Sequence, residues 1–111
     1  MESQNVEPVE EVISYIESNL SEKLDLSQAA AGVHCSKYHL HRMFSNTVGI
    51  TIHDYIQRRQ LTEAAKLLIC SEKFILEIAL MAGFESRQAF TDRFRAMYKK
   101  PPAKYREQGS F

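Results

Sequence analysis

The 111-residue sequence has no tryptophan, two cysteines, three prolines and four glycines. With so little proline and glycine, and no serine-rich tract, it carries no mark of a disordered linker. Cys35 and Cys70 lie far apart without CxxC spacing, so they read as reduced thiols of a cytosolic protein. Long apolar runs are missing too: none approaches the roughly 20 residues that a bilayer span needs. Glu2, Glu7, Glu10 and Glu11 stand where a signal peptide would carry basic residues. These absences predict a cytoplasmic chain with no membrane partner. Net charge is absent as well, at +0. Taken alone, that argues against a polyanionic partner, because Lys and Arg neutralising phosphates supply most DNA affinity.

The charge balance hides an asymmetry. Residues 1–30 hold seven acids and Lys23 as their one base, whereas residues 31–111 hold thirteen Lys or Arg against seven acids. An acidic N-terminal segment therefore precedes a basic remainder. Apolar residues at 44% and charged residues at 25% are ordinary for a globular chain. The length allows one compact core or two very small ones, and the expectation is one helical body with two lobes.

Hydrophobic spacing is helical throughout, and nothing looks like a strand. Val9, Val12, Ile13, Ile16 and Leu20 predict a first helix over roughly 8–20, with Pro8 at its first position. Ser27 is the expected N-cap of a short second helix that stops around His34, and Ser36 caps a third. Thr51 with Asp54 resembles a capping box opening a long fourth helix to about Ile69. Ser71 precedes a fifth that Gly83 ends, Ser86 caps a sixth, and Pro101-Pro102 opens a short last one. The expected fold is all-α, with about seven helices: residues 1–50 holding the N-terminal helix and a first helix-turn-helix subdomain, 51–70 a linker helix, and 71–111 a second helix-turn-helix subdomain.

The most informative pattern is an internal repeat. Leu26, Ala29, Ser36, Leu40, Phe44 and Tyr55 recur 50 residues later as Leu76, Ala79, Ser86, Phe90, Phe94 and Tyr105. Two copies joined by a long helix cannot stack as a solenoid, so a duplicated binding unit fits better. In the third helix Leu40, Met43 and Phe44 share one face by their spacing, which leaves Lys37, Tyr38, His41, Arg42 and Ser45 outward. In the sixth, Phe90, Phe94 and Met97 are the expected buried face, leaving Arg87, Gln88, Thr91, Asp92 and Arg95. Both outward faces carry groups that bond base edges or phosphates. A short helix, a tight turn and a capped second helix form the plan that lays the second helix in the major groove of double-stranded DNA. Grooves on one face of B-DNA recur every ~34 Å, and a helix of roughly 18 residues, about 27 Å long, can set such a spacing.

The segment EIALMAGFESRQAFTDRFRAMYKKPPAKYR, from Glu77 to Arg106, and the earlier LSQAAAGVHCSKYHLHRMF resemble the DNA-binding domain of the AraC/XylS family over nearly the whole chain. The chain looks most like the short stand-alone stress-response activators of that family. The resemblance implies a cytoplasmic, sequence-specific transcription activator with no cofactor, bound to DNA as a monomer with its two reading helices in adjacent major grooves and RNA polymerase as a second partner. Two positions depart from the pattern: His34 stands where a glycine is usual before the first cap, and Lys99 where one is usual after the sixth helix. His tolerates left-handed backbone better than most residues.

Individual residues admit more than one reading. Tyr38 can touch sugar or a thymine methyl, or simply be surface. Arg42 and Arg87 can fork to guanine, contact phosphate or stay solvated. Gln88 suits adenine and Thr91 a thymine methyl; Asp92 can accept from cytosine or pair with Arg95, and His41 joins the base-reading set. Lys37, Ser45, Arg58, Arg95, Lys99, Lys100, Lys104 and Arg106 are the candidate phosphate contacts, with solvated surface as the alternative. His34, Cys35, His39 and His41 crowd into eight residues like zinc ligands. Residues 39 and 41 nonetheless lie about 200° apart around a helix, so no metal site is expected. No catalytic triad order, phosphate-cradling loop or carboxylate pair supports an enzyme. The remaining alternatives are a helical protein-interaction module, or the output domain of a larger regulator without DNA binding of its own. The initial Met and the acidic first helix favour a complete short protein.

Overall fold

Four helices begin on an oxygen side chain that accepts the free amides of the first turn, and these caps set the frame of the chain. The computed structural model describes residues 2–22 and 24–109, which form seven α-helices and no strand. They are α1 (Glu2–Ser18), α2 (Leu26–Gly32), α3 (Lys37–Val48), α4 (Ile52–Cys70), α5 (Ile75–Met81), α6 (Arg87–Tyr98) and α7 (Pro102–Gln108). Ser36 Oγ accepts from the His39 amide and Ser86 Oγ from the Ala89 amide, each at 3.1 Å. Thr51 Oγ1 accepts from the Asp54 amide at 3.1 Å. At α2 the cap is Asp25 rather than the expected Ser27: its carboxylate accepts from the Ser27 and Gln28 amides at 2.9 and 3.3 Å, and Ser27 is already helical.

The start of α1 and the buried face of α6 also differ from the sequence reading. The first helix starts at Glu2, so Pro8 lies inside it; proline's φ suits a helix, but it donates no amide bond and its ring crowds the carbonyl four residues earlier. Ser71 precedes α5, as the sequence reading has it, but serves the helix behind it. Its hydroxyl donates back to the Leu67 carbonyl at 2.7 Å, closing α4, and α5 begins only at Ile75. There the Glu77 carboxylate reaches back to the Phe74 amide at 3.4 Å. On α6 Met97 is 39% exposed, and Tyr98 packs on the core instead.

The chain divides into two compact units between Ile56 and Gln57, inside α4. In the first, Val9, Val12 and Ile16 of α1 meet Leu26, Ala29 and Ala30 of α2, Leu40, Met43 and Phe44 of α3, and Ile52 and Ile56 at the head of α4. In the second, Leu61, Ala64 and Leu68 of α4 repeat the spacing of Val9, Val12 and Ile16, and pack with Ile78, Ala79, Phe90 and Phe94. The helix read as a linker thus supplies the closing helix of one core and the opening helix of the next.

The turns show where the repeat changes register. In the first unit the Cys35 amide donates to the Ala30 carbonyl at 3.0 Å and His34 takes a left-handed φ of 58°. In the second the Phe84 amide donates to the Ala79 carbonyl at 3.0 Å and Gly83 takes φ 96°. Ala30 therefore corresponds to Ala79 and His34 to Gly83, an offset of 49, while the caps Ser36 and Ser86 keep the offset of 50. The second turn is one residue longer. Gly83→Ala should cost roughly 1–2 kcal/mol, because a Cβ in left-handed backbone crowds the following carbonyl. Urea unfolding followed by circular dichroism checks it; an unchanged midpoint would mean that the turn relaxes freely.

Candidate nucleic-acid interface

The helices α3 and α6 each run twelve residues from a serine cap to a left-handed residue, Gly49 after α3 and Lys99 after α6. Fully buried aromatic and aliphatic side chains anchor one face: Leu40 and Phe44 on α3, Phe90 and Phe94 on α6. That anchoring decides which side chains face water.

On α3 the outward stripe is Tyr38, Arg42 and Asn46. Tyr38 is 71% exposed, and the Arg42 guanidinium carbon lies 5.8 Å from its ring centroid, a cation–π distance that steadies both groups. Lys37 and His39 are exposed on the flanks, and Ser45 is half-buried at the edge. His41, expected outward, is half-buried too: its ring centroid sits 5.2 Å from that of His53, so it belongs to the α3–α4 side rather than to the centre of the stripe.

On α6, Arg87, Gln88, Asp92 and Arg95 are exposed and Thr91 is half-buried. Asp92 accepts from Gln88 Nε2 at 2.8 Å, so its partner is one turn earlier and not Arg95. The bond leaves Gln88 a second Nε2 hydrogen and its Oε1, the donor and acceptor that adenine's major-groove edge requires. Arg93, which the sequence reading passed over, is also exposed. Its counterpart in the repeat is the buried Met43, so the repeat pointed the wrong way. Asn46 and His53 were missed as well; Asn46 was legible as a continuation of the Tyr38 and Arg42 stripe at i+4.

Several of the basic residues already hold partners within the protein. Arg106 is half-buried, with Nε donating to the Leu68 carbonyl at 2.8 Å and Nη2 to the Ser71 carbonyl at 3.1 Å. It satisfies carbonyls at the end of α4, which takes it out of the set free to reach a phosphate. Lys99 Nζ donates to the Ala96 carbonyl at 3.2 Å, and Lys100 Nζ to Gln108 Oε1. Both are flexible side chains on bonds that solvent can replace. Arg59 and Lys66 share the Glu63 carboxylate at 3.1 Å each, and these bonds, Lys66's first, hold that carboxyl below its usual range. Arg58 and Lys104 are exposed. Among the described residues no acid lies on α3, and Asp92 is the one on α6.

The helix-turn-helix domain family matches residues 29–108. The helix-turn-helix transcriptional activator AarP of Providencia stuartii is 38% identical over 98 residues, covering 88% of this chain and 73% of that protein. A Chromobacterium violaceum transcriptional regulator with an AraC-type DNA-binding domain superposes with a TM-score of 0.84 at 30% identity, over 91% of this chain and 90% of that one. The DNA-binding domain of the global transcriptional factor AdpA, solved with a target DNA, gives 0.83 at 28% identity over 91% of each chain. This chain spans 71% to 85% of three short relatives and 33% to 36% of several longer ones.

Proposed function

Because this chain belongs to the AraC-type helix-turn-helix family, we propose that it is a transcription regulator that binds double-stranded DNA sequence-specifically, each unit laying its second helix in a major groove. The observation that carries this reading is the pair of capped helices α3 and α6, each anchored by buried Leu or Phe and each presenting hydrogen-bonding side chains on the opposite face. Tyr38 and Arg42 read bases from the first unit; Arg87, Gln88, Thr91 and Asp92 read from the second. Lys37, Ser45, Arg58, Arg95, Lys99, Lys100 and Lys104 hold the phosphates. The protein acts in the cytoplasm as an activator and not as an enzyme, binds as a monomer, and touches RNA polymerase.

Selecting bound fragments from a random duplex pool tests the reading directly, and recovery of no preferred sequence would defeat it. On the selected site Arg42→Ala should cost about 1–3 kcal/mol and relax preference at one end only, as the loss of a bidentate guanine contact does. Titrations against site variants check this; equal loss on every sequence would make Arg42 a phosphate contact.

A protein-interaction role draws on a different observation. Phe74, Leu76, Leu80 and Met81 are exposed apolar side chains on and beside α5. Salt dependence separates the two readings, since burial of apolar surface is insensitive to modest salt and phosphate contact is not.

A further inference from the structure

Beside the α3 stripe, in the first unit, lies an open cleft of about 590 Å³, lined by Leu24, Asp25, Gln28, Lys37, His41 and His53, among others. Its charged or titratable groups come from three elements: Asp25 at the head of α2, Lys37 and His41 on α3, and His53 in the first turn of α4. The one acid is already committed, since Asp25 Oδ1 takes two amides of the α2 first turn. Facing the cleft beside that amide-bound carboxylate are an ammonium and two imidazoles whose centroids are 5.2 Å apart.

Such a cluster repels its own protonation. Burial, then His53 and then Lys37 lower the pKa of His41 below the ordinary imidazole value. His53 sits in the first turn of α4, where the helix dipole is positive and favours a bound anion. An anion in the cleft offsets the repulsion from His53 and Lys37, though not the burial, and a phosphodiester, with two free oxygens for two imidazolium donors, matches the cluster.

We propose that His41 and His53 form a seat for one DNA phosphate, so that binding of the duplex takes up protons. The inference rests on the DNA-binding reading above. Its direction follows from linkage: a group whose pKa is higher in the bound than in the free state makes affinity rise as pH falls through the interval between the two values. His41 therefore serves as a phosphate contact at the edge of the groove and not as a base reader.

The probe is a rhodamine-labelled, mixed-sequence duplex titrated by fluorescence anisotropy at constant ionic strength. Between about pH 7.5 and about pH 6.0 the Kd of the wild-type chain should fall roughly 10-fold, the scale of a one-unit pKa shift. In His53→Gln and His41→Gln the fall should shrink to roughly 2-fold or less. His34→Gln should keep the wild-type slope. His53 is exposed, so its replacement leaves the fold intact, and a thermal melt verifies this. In proton NMR, adding duplex should move the titration midpoints of the His41 and His53 ring protons upward, a change that a merely structural role would not produce. Full pH slopes in both cleft variants, or unmoved midpoints, would overturn the seat while leaving DNA binding in place. Failure of the wild-type chain to bind any duplex at any pH would remove the DNA-binding reading, and the seat with it.

Discussion

Raising the salt concentration from about 50 to about 200 mM should weaken binding to a duplex roughly 10²- to 10³-fold. The expectation follows from the cations that the structure leaves available. Arg106 is committed to the carbonyls of Leu68 and Ser71, and Arg59 and Lys66 to Glu63. Of the lysines and arginines assigned to phosphates, Lys37, Arg95 and Lys104 are exposed, and Lys99 and Lys100 are each held by one bond that solvent can replace. Four or five phosphate contacts give a slope of about −4 in log K against log salt, since each releases close to one counterion. The zero net charge does not weaken this argument, because the surplus acids are concentrated in residues 1–30 while the cations lie beyond them. Anisotropy titrations across a salt series measure the slope. A value near zero would remove the nucleic-acid partner and favour the apolar surface around α5.

Phe94→Ala should destabilise the second unit by about 3–5 kcal/mol, the range for emptying a buried aromatic site. Phe94 is fully buried, and three other rings close on it: Phe90 at 5.5 Å, Tyr98 stacked at 4.5 Å and Tyr105 edge-on at 5.2 Å. These rings tie α6 to α7, so the cavity would sit under the reading helix itself. Small domains have only 5–15 kcal/mol of stability in total. A loss of this size should therefore melt the unit at moderate temperature and abolish sequence preference there. Met97→Ala, three residues away on an exposed position, should change stability by less than about 0.5 kcal/mol. Urea unfolding read by far-ultraviolet circular dichroism compares the two. Equal effects would mean that the packing of α6 is not as described.

Local chemistry was legible wherever one residue decides the outcome alone. Ser36 and Ser86 both read as caps and both accept the expected amides, because an N-cap is a contact within a single turn. The buried stripes of Leu40, Phe44, Phe90 and Phe94 followed from spacing for a similar reason. What escaped depends on neighbours from other elements. Arg106 reads as a free cation until α4 is seen to end beside it, and His41 reads as outward until His53 is placed against its ring. Asp25 and Ser27 are both good caps, and only the backbone decides between them: Asp25 is extended, Ser27 helical. Met97 was assigned to the core on spacing alone, yet Tyr98 takes that place by stacking on Phe94.

The unequal turns bear on how parts of this protein can be interchanged. Aligning the halves at a constant offset pairs Leu26 with Leu76 and Ala30 with Leu80, yet Leu76 is 49% and Leu80 52% exposed. The equivalent stretches are residues 26–33 and 75–82, with the extra residue confined to the loop ahead of Ser86. A chimera that exchanges these two octapeptides keeps apolar side chains facing inward in both cores. One cut a single residue out of step would bury the wrong face of a short helix and leave its proper face in water.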